Sequence, residues 1–218
     1  MSPSETWQGF PVVVEGIPFI AAPLVLATLA WYLGWPKIGA VFFLLAVFVL
    51  WFFRNPERTI PADPEVVVSP ADGKVLSVEK LYEPRVLKTD TQRISIFMGL
   101  TDVHVNRIPY SGRILGVFYN PGKFFSAFKE KASLENEQRA VLLETDSGRR
   151  ILFVQIAGLV ARRIVTWVHE GDRVERGQRY GLIRFGSRMD VYLPVDGTIT
   201  VRPGDRVSGG STVLGRWR

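Results

Sequence analysis

Residues 180–203 read YGLIRFGSRMDVYLPVDGTITVRP. They contain three short apolar runs, YGLIRFG (180–186), DVYLP (190–194) and TITVRP (198–203), separated by turn-forming residues. Runs of this length, rich in β-branched and aromatic residues and bounded by glycine, proline and aspartate, are typical of β-strands. The pair Asp196-Gly197 separates the last two runs and favours a tight turn between antiparallel strands. This stretch therefore predicts an antiparallel, mainly β structure.

The same pattern extends through the preceding residues. Further predicted strands are KVLSVEK (74–80), RISIFMG (93–99), AVLLETD (140–146), RILFVQIAG (150–158) and RIVTWVHE (163–170). The best candidate for a helix or a lid is GKFFSAFKEKASLENEQR, residues 122–139. We therefore expect a mainly β domain with minor α content.

Two short motifs occur twice. The sequence Gly-Asp-Arg-Val is found at 171–174 and again at 204–207, and an Asp-Gly turn opens a strand at 71–75 and again at 195–199. This pattern resembles the barrel-sandwich hybrid of biotinyl and lipoyl carrier domains. A carrier displays a modifiable lysine at a tight turn, but Lys74 lacks the flanking residues of such a site. The fold is expected without the carrier function.

Two apolar stretches precede this domain. Residues 17–35 and 38–53 carry no charge, and only Pro36 and Lys37 separate them. As helices they would be about 28 Å and about 24 Å long, against a hydrocarbon core of about 30 Å. Residues 1–16 contain no lysine or arginine, unlike a cleavable signal peptide. We therefore expect a retained helical hairpin, either transmembrane or embedded in one leaflet.

Charge predicts the orientation of this hairpin. Arg54 and Arg58 follow the second stretch directly and favour a cytoplasmic location for what comes next, although Lys37 argues weakly against it. The expected organisation is an N-terminal cytoplasmic segment (1–16), the hairpin (17–53) and a β-rich catalytic domain (54–218). The expected location is the inner face of the cell membrane.

The amino-acid composition limits the side-chain chemistry that is open to this protein. The chain of 218 residues has no cysteine and only two histidines, which excludes disulfides and thiolate nucleophiles and argues against a metal site. With Lys37, Glu5 and Glu15 set aside, residues 54–218 carry 26 basic and 19 acidic side chains, a net charge of +7. For a membrane-anchored domain, anionic lipid is a better explanation of this charge than nucleic acid.

Five strings in order carry a family resemblance: FFRNPER (52–58), SPADGKV (69–75), TDVHVNRIP (101–109), IAGLVARRI (156–164) and RFGSRMDVYLP (184–194). They closely resemble the short, membrane-associated form of phosphatidylserine decarboxylase. The resemblance implies a proenzyme that cleaves itself at Gly186-Ser187 into a β chain (1–186) and an α chain (187–218), which remain together as a heterodimer. Gly210-Ser211-Thr212 is a second Gly-Ser pair, but cleavage there would release only eight residues.

The resemblance also implies the cofactor and the substrate. Ser187 becomes a covalent pyruvoyl group that forms a Schiff base with the amine of phosphatidylserine, so that decarboxylation yields phosphatidylethanolamine and carbon dioxide without a metal. His104 is the candidate for proton transfer and Asp72 its candidate carboxylate partner in an Asp/His/Ser relay. The expected partners are phosphatidylserine in an anionic membrane and further copies in a homo-oligomer, with no nucleic acid.

One position departs from the longer family members, which carry a second histidine where this chain has Arg107. His104 would then serve both self-cleavage and decarboxylation, unless the short form uses a different base. Asp102 is expected to hold a loop or to orient His104, and His169 is expected in a solvated turn. The candidate substrate-binding residues are Arg107, Asp102, Lys123, Phe124, Arg162 and Arg163.

The segment around Lys123 admits two interpretations. Phe124, Phe125 and Phe128 alternate with lysines, which suits a segment lying at the membrane interface or a helix packing its phenylalanines into the core. Two other functions also remain open at this stage. The first is a non-enzymatic, membrane-anchored barrel-sandwich adaptor, and the second is a membrane serine hydrolase with Ser187, His104 and Asp72 as a triad.

Overall fold

The computed structural model describes residues 10–123, 135–158, 163–184 and 186–217. The described residues up to Glu57 form one compact unit, and those from Arg58 onward form a second. In the first unit a short 3-10 helix (Val14–Gly16) leads into α1 (Ile17–Tyr32), and α2 (Pro36–Phe52) follows. Gly34, with φ of 75°, forms the turn between α1 and α2. The predicted helical hairpin is therefore present.

The two helices differ in length. Residues Val14–Tyr32 form a helix long and apolar enough to cross a membrane, whereas α2 is a shorter apolar helix of 17 residues. Most of their leucine, valine and aromatic side chains are exposed within this unit. An apolar surface of this kind is expected of helices that contact lipid rather than water.

Strands dominate the second unit. Those in the described residues are β1 (Val66–Val68), β2 (Gly73–Glu83), β3 (Thr89–Met98), β4 (Val105–Arg107), β5 (Gly112–Asn120), β6 (Gln138–Glu144), β7 (Arg150–Ala157), β8 (Ile164–Thr166), β9 (Arg173–Val174), β10 (Arg179–Ile183), β11 (Ser187–Pro194), β12 (Thr198–Ile199), β13 (Arg206–Val207) and β14 (Val213–Arg216).

These strands form one large sheet and two small ones. The large sheet has the order β13-β2-β3-β11-β7-β6-β5-β9, and the small sheets have the orders β1-β14-β12 and β4-β10-β8. Paired strands are antiparallel throughout. The large sheet curls into a half-barrel. The mainly β, antiparallel fold class is therefore confirmed.

The two Gly-Asp-Arg-Val motifs lie at the two edges of the large sheet. In each, the glycine has a positive φ, 92° at Gly171 and 102° at Gly204, and the Arg-Val pair forms the edge strand, β9 or β13. The backbone bonds match as well. Gly171 N–H donates to Ile114, and Gly204 N–H donates to Val75. The repeat in the sequence is thus a repeat in the structure, and glycine is required because other residues rarely adopt this φ.

Strand alternation gives the large sheet two different faces. One face builds the main core, in which Ile94, Ile96, Met189 and Val191 are all fully buried. The other face carries a smaller apolar cluster around Leu152 and Val154. Complete burial of one such side chain contributes about 1.5–3 kcal/mol, so the main core accounts for most of the hydrophobic stabilisation.

Strand β11 occupies the middle of the sheet. It pairs with β3 on one side and with β7 on the other, and its first residue, Ser187, lies opposite Met98 and Ala157. Met189, Val191 and Leu193 point into the main core, so Ser187 faces the same side of the sheet. The strand register therefore places the serine hydroxyl on the core side, at one end of β11.

Some predicted boundaries are wrong. The helix predicted over 122–139 overlaps β6, which already begins at Gln138, and residues 124–134 lie outside the described part of the chain. The strand predicted over 163–170 ends at Thr166, because the chain then turns at 169–172, where Asp172 accepts a hydrogen bond from the His169 N–H. Strand β5 was not predicted.

Candidate active site

Gly186 lies directly before β11 in a backbone conformation that favours glycine. Its φ is 73°, in the left-handed region. A Cβ atom added at this position would meet nothing within 4 Å, so space does not explain the glycine. The residue is required for its backbone conformation. The residue before the Gly186-Ser187 peptide bond thus has a backbone conformation that other residues adopt only with strain.

Ser187 is completely buried. Its exposed fraction is 0%, and its Oγ lies 3.3 Å from the Sδ of Met98, the residue opposite it on β3. A thioether sulfur is a weak hydrogen-bond acceptor, so this contact orients the hydroxyl without binding it strongly. The predicted nucleophile is therefore a shielded hydroxyl next to the carbonyl that it would attack.

His104 is a titratable side chain that contacts Gly186. It is 2% exposed, and its Nε2 accepts a hydrogen bond of 3.4 Å from the Gly186 N–H, which belongs to the peptide unit before the Gly186-Ser187 bond. Its Nδ1 lies 2.9 Å from the carbonyl oxygen of Asp102. A carbonyl only accepts hydrogen bonds, so we assign the proton of the neutral ring to Nδ1. Nε2 then carries the lone pair, which accepts the hydrogen bond from the Gly186 N–H.

Asp102 contributes to this arrangement through two different groups. Its backbone carbonyl orients His104, and its carboxylate accepts hydrogen bonds of 2.8 Å from the Gly99 N–H and from Nη1 of Arg206. The two predicted structural roles of Asp102 were to hold a loop or to orient the histidine, and the structure places it in contact with both. Its predicted role as a substrate contact stays a prediction.

Asp72 lies in the predicted Asp-Gly turn but has other partners. Its Oδ2 accepts a hydrogen bond of 2.7 Å from Nη2 of Arg58, and its Oδ1 accepts one of 2.7 Å from the Gly209 N–H. Neither hydrogen bond leads to His104. The turn links the start of β2 to the loop before β14, and the predicted relay role of Asp72 stays a prediction.

The candidate substrate-binding residues lie in different environments. Arg107 is 6% exposed, and its Nη1 donates a hydrogen bond to the carbonyl of Gly177, so this guanidinium lies in the protein interior. Arg163 is exposed. Lys123 is also exposed and forms an ion pair of 3.2 Å with Glu135. Phe124 and Arg162, together with Phe125 and Phe128, lie outside the described residues. His169 is exposed beside a turn, as predicted.

A buried polar chain extends from Ser187, and sequence reasoning missed it. The Nδ2 of Asn106 lies 3.7 Å from the Met98 sulfur, Gln155 donates to Asn106 at 2.9 Å, and Thr166 donates to Gln155 at 2.9 Å. Asn106 and Gln155 are fully buried. Asn106 lies in the string 101–109 and Gln155 in the predicted strand 150–158. Nothing in their spacing indicates that the two side chains meet, because β4 and β7 are far apart in the chain.

The groove with the largest volume among those found is on the other face of the large sheet. It encloses about 610 Å³ and is bordered by Tyr192, Leu152, Val154 and Arg93, not by Ser187. Burial, together with the negative charge of Asp190, raises the pKa of Tyr192 to about 12. Its hydroxyl therefore stays protonated at neutral pH. This groove is separate from the candidate active site.

No group of three or more histidine, aspartate or glutamate side chains that could hold a metal ion occurs in the described residues. The groups gathered at the site are a buried serine hydroxyl, the imidazole of His104 and a glycine carbonyl. These groups suit a rearrangement of the chain's own peptide bond.

The structure thus defines a protein with a mainly β domain, an apolar helical hairpin earlier in the chain, and a buried serine that follows a glycine in contact with a histidine. The family model for phosphatidylserine decarboxylase matches residues 45–215. The chain belongs to the phosphatidylserine decarboxylase family, which is a family of carboxy-lyases.

Curated relatives align with nearly the whole chain. The protein is 49% identical over 206 residues to a phosphatidylserine decarboxylase proenzyme of Geotalea daltonii, with 94% of this chain and 96% of the relative covered. It is 50% identical over 207 residues to the proenzyme of Symbiobacterium thermophilum, with the same coverage. It is 50% identical over 208 residues to that of Syntrophotalea carbinolica, with 95% and 97% covered. These similarities support the decarboxylase interpretation and not the adaptor or the hydrolase.

Proposed function

We propose that this protein is a phosphatidylserine decarboxylase proenzyme that cleaves its own chain between Gly186 and Ser187 and then converts phosphatidylserine to phosphatidylethanolamine and carbon dioxide. The observation that carries the proposal is the hydrogen bond of 3.4 Å from the Gly186 N–H to the His104 Nε2, which holds the imidazole next to the glycine that precedes a buried serine. The family membership supports the reaction, and this geometry supports the residues.

Self-cleavage begins with an acyl shift. Nε2 of His104 first releases the Gly186 N–H. Ser187 Oγ then attacks the carbonyl carbon of Gly186 and loses its proton to Nε2, and the C–N bond breaks as the amine takes a proton. The product is an ester that joins Gly186 to the side chain of Ser187. No atom has entered or left the protein at this stage.

The chain separates in the second step. Removal of the Ser187 Cα proton expels the Gly186 carboxylate from Cβ and leaves a dehydroalanine at the start of the α chain. Water hydrolyses its imine tautomer to a pyruvoyl group, and ammonia leaves. His104 is the candidate base for both steps, with its tautomer held by the Asp102 carbonyl. Asp72 is its candidate carboxylate partner.

The environment of Ser187 fits such a group. The residue is fully buried, and β11 is hydrogen-bonded to β3 and β7 on both sides, so the new terminus would keep its place after the bond breaks. The pyruvoyl group supplies an electron sink for the electron pair released when carbon dioxide leaves the substrate. His104 would return a proton to the product carbon.

The two chains would remain together as a heterodimer. The 32-residue α chain contributes the central strand β11, the edge strand β13, and β12 and β14 of a small sheet. Their pairing partners β2, β3, β7 and β1 all belong to the β chain. Cleavage at residue 186 therefore removes one peptide bond and leaves these pairings intact.

Membrane association supplies the substrate. The apolar helices would hold the catalytic domain at the inner face of the cell membrane, and its net charge of +7 would attract anionic lipid. Arg163 and Lys123 are exposed cations that suit the lipid phosphate. Arg107 is buried, and its hydrogen bond to the Gly177 carbonyl supports a role in holding the loop before β10 rather than direct phosphate binding.

The intact mass of the purified protein, measured under denaturing conditions, tests this proposal. We expect two chains separated after residue 186, with the α chain lighter than a serine-started peptide by an ammonia. A Ser187→Ala variant should stay uncut and fail to form phosphatidylethanolamine in phosphatidylserine vesicles. The matched control is Ser211→Ala in the second Gly-Ser pair, which should behave as wild type. A folded wild-type protein that stays uncut would overturn the proposal.

A further inference from the structure

The carbonyl oxygen of Gly186 has a hydrogen-bond donor of its own. The backbone N–H of Gly158, the residue that follows β7, lies 3.1 Å from it. This is the oxygen that becomes negatively charged when a nucleophile attacks the carbonyl. A donor fixed at this position before the reaction stabilises that charge at no cost of rearrangement, and hydrogen bonds shorten and strengthen as their acceptor becomes an anion.

The peptide unit that carries this donor is fixed on its other side. The carbonyl of Ala157 belongs to the same peptide unit as the Gly158 N–H, and it accepts a hydrogen bond of 2.7 Å from the Asn136 Nδ2. Asn136 is fully buried, and the Ala157 N–H donates to the carbonyl of Glu137 at 2.9 Å. The segment around Asn136 thus holds the strand end by two hydrogen bonds.

Hydrogen bonding at one end of a peptide unit affects the other end. Donation by Asn136 draws electron density toward the Ala157 oxygen, and this makes the Gly158 N–H a stronger donor to Gly186. The two contacts form one chain, from the amide of Asn136 through a single peptide unit to the oxygen of Gly186. A helix N-terminus or a charged side chain is not needed for this effect.

We propose that the Gly158 N–H is the oxyanion donor of self-cleavage and that Asn136 is its positioning residue. The inference rests on the proposed cleavage between Gly186 and Ser187. As the Ser187 Oγ bonds to the Gly186 carbon, the carbonyl electron pair moves to oxygen and is stabilised there by Gly158. The pair returns when the C–N bond breaks, so the donor acts only in the acyl shift and leaves the atom balance unchanged.

The test measures the acyl shift by itself. Neutral hydroxylamine cleaves the ester as soon as it forms, so the loss of full-length precursor in hydroxylamine reports that step alone. Removal of a direct oxyanion donor costs about 100–1,000-fold in rate. Because Asn136 acts through a peptide unit, we expect at least about a tenfold loss in Asn136→Asp, which keeps the shape of the side chain but presents oxygen to the Ala157 carbonyl.

The matched control is a second buried amide. Gln92 is 7% exposed, and its Nε2 donates to the carbonyls of Pro194 and Gly197 at the far end of β11. Gln92→Glu makes the same chemical change away from Gly186 and should keep the wild-type rate. Thermal melting of each variant on a Ser187→Ala background, which cannot be cleaved, verifies that the precursors are folded.

A pH comparison separates positioning from simple loss of structure. At pH 5.5 a larger fraction of the carboxyl group introduced by Asn136→Asp is protonated and can donate to the Ala157 carbonyl again. The rate of Asn136→Asp relative to wild type should therefore be higher at pH 5.5 than at pH 8. Asn136→Leu, which has no donor at any pH, should keep the same ratio at both values and serves as the second variant.

The outcomes are distinct. A wild-type rate in Asn136→Asp, an equal loss in Gln92→Glu, or identical pH ratios in Asn136→Asp and Asn136→Leu would overturn the inference while the proposed function stands. A wild-type precursor that is not cut after residue 186 would overturn the proposed function itself. A slow, acid-restored Asn136→Asp beside a normal Gln92→Glu supports the inference.

Discussion

The Nε2 of His104 lies 3.4 Å from the backbone nitrogen of Gly186, although 82 residues separate the two in the chain. The contact arises because His104 precedes β4 and Gly186 follows β10, and β4 and β10 are antiparallel neighbours. The Ile183 N–H also donates to the His104 carbonyl at 3.4 Å. The pairing of β4 with β10 therefore holds the histidine next to Gly186.

The two histidines of the chain provide a matched pair of variants. His104→Ala should leave the precursor uncut, with a loss of at least about 100-fold in cleavage rate, because it removes the base beside the peptide bond. His169→Ala should be cut as wild type, because His169 is 73% exposed and lies beside a surface turn. The precursor half-life after synthesis measures both. Normal cleavage in His104→Ala would exclude it as the base.

Variants of Asp72 and Arg58 distinguish a relay role of Asp72 from a purely structural role. Asp72→Asn should slow cleavage at least about tenfold if its charge supports the imidazolium form of His104. Arg58→Gln removes the ion pair of 2.7 Å but leaves the carboxylate, and it should stay within about threefold of wild type on the same scale. Equal losses in the two variants would show that Asp72 acts by anchoring its turn, and the relay would then be wrong.

The ionisation of Glu79 is expected to make part of the folding stability depend on pH. Burial raises the pKa of Glu79, but the hydrogen bonds from Arg93 and Ser77 and the charge of Arg93 lower it by a larger amount. The pKa in the folded protein therefore lies below the ordinary value. The stabilisation is then complete above the unfolded pKa of about 4.3 and is lost as the pH falls through the lower folded value.

The corresponding variant is Glu79→Gln on the Ser187→Ala background. Because Glu79 is 38% exposed, its loss should cost about 0.2–1 kcal/mol of unfolding free energy at pH 7, with a smaller difference in acid. Urea unfolding at pH 7 and pH 3.5 measures this, with exposed Glu170→Gln as the control. A difference that grows in acid would contradict the assigned direction of the pKa shift.

The absence of cysteine allows a test of the membrane topology. Leu33 lies between α1 and α2, and Ser147 is exposed between β6 and β7. If the hairpin spans the membrane with the catalytic domain inside, Leu33→Cys should react with an impermeant maleimide in intact cells, and Ser147→Cys only after lysis. Labelling of neither site in intact cells would indicate a hairpin embedded in one leaflet. Labelling of Ser147→Cys alone would reverse the orientation.

The sequence predicted much of the fold because the decisive signals are local. Alternation identified β2, β3 and β7, and the repeated Gly-Asp-Arg-Val motif identified both edge turns. Strand β5 was missed because its register shifts between Ile114 and Gly116 and because Phe118 is exposed, so the apolar pattern is broken. A β-bulge changes the period within a strand, and simple alternation cannot then be followed.

The site was predicted only where single residues carry the signal. The resemblance indicated Gly186, Ser187 and His104 as candidate residues by their strings, and their roles stay predictions. It did not indicate the Gly158 N–H or the amide of Asn136, because a backbone group has no side-chain signature and the contact depends on where β7 ends in space. The sequence also did not indicate the hydrogen-bond partners of Asp72, because Arg58 and Gly209 lie near opposite ends of the domain's sequence.

If the chain is cut after residue 186 as proposed, the central position of β11 determines whether folding or cleavage comes first. A 32-residue fragment could not find the gap between β3 and β7 once those strands had closed on each other, so the single chain must fold before it is cut. After the cut, refolding would be a bimolecular reaction between two fragments. The mature protein is therefore expected to unfold irreversibly, and its lifetime would be set by the rate of unfolding rather than by an equilibrium.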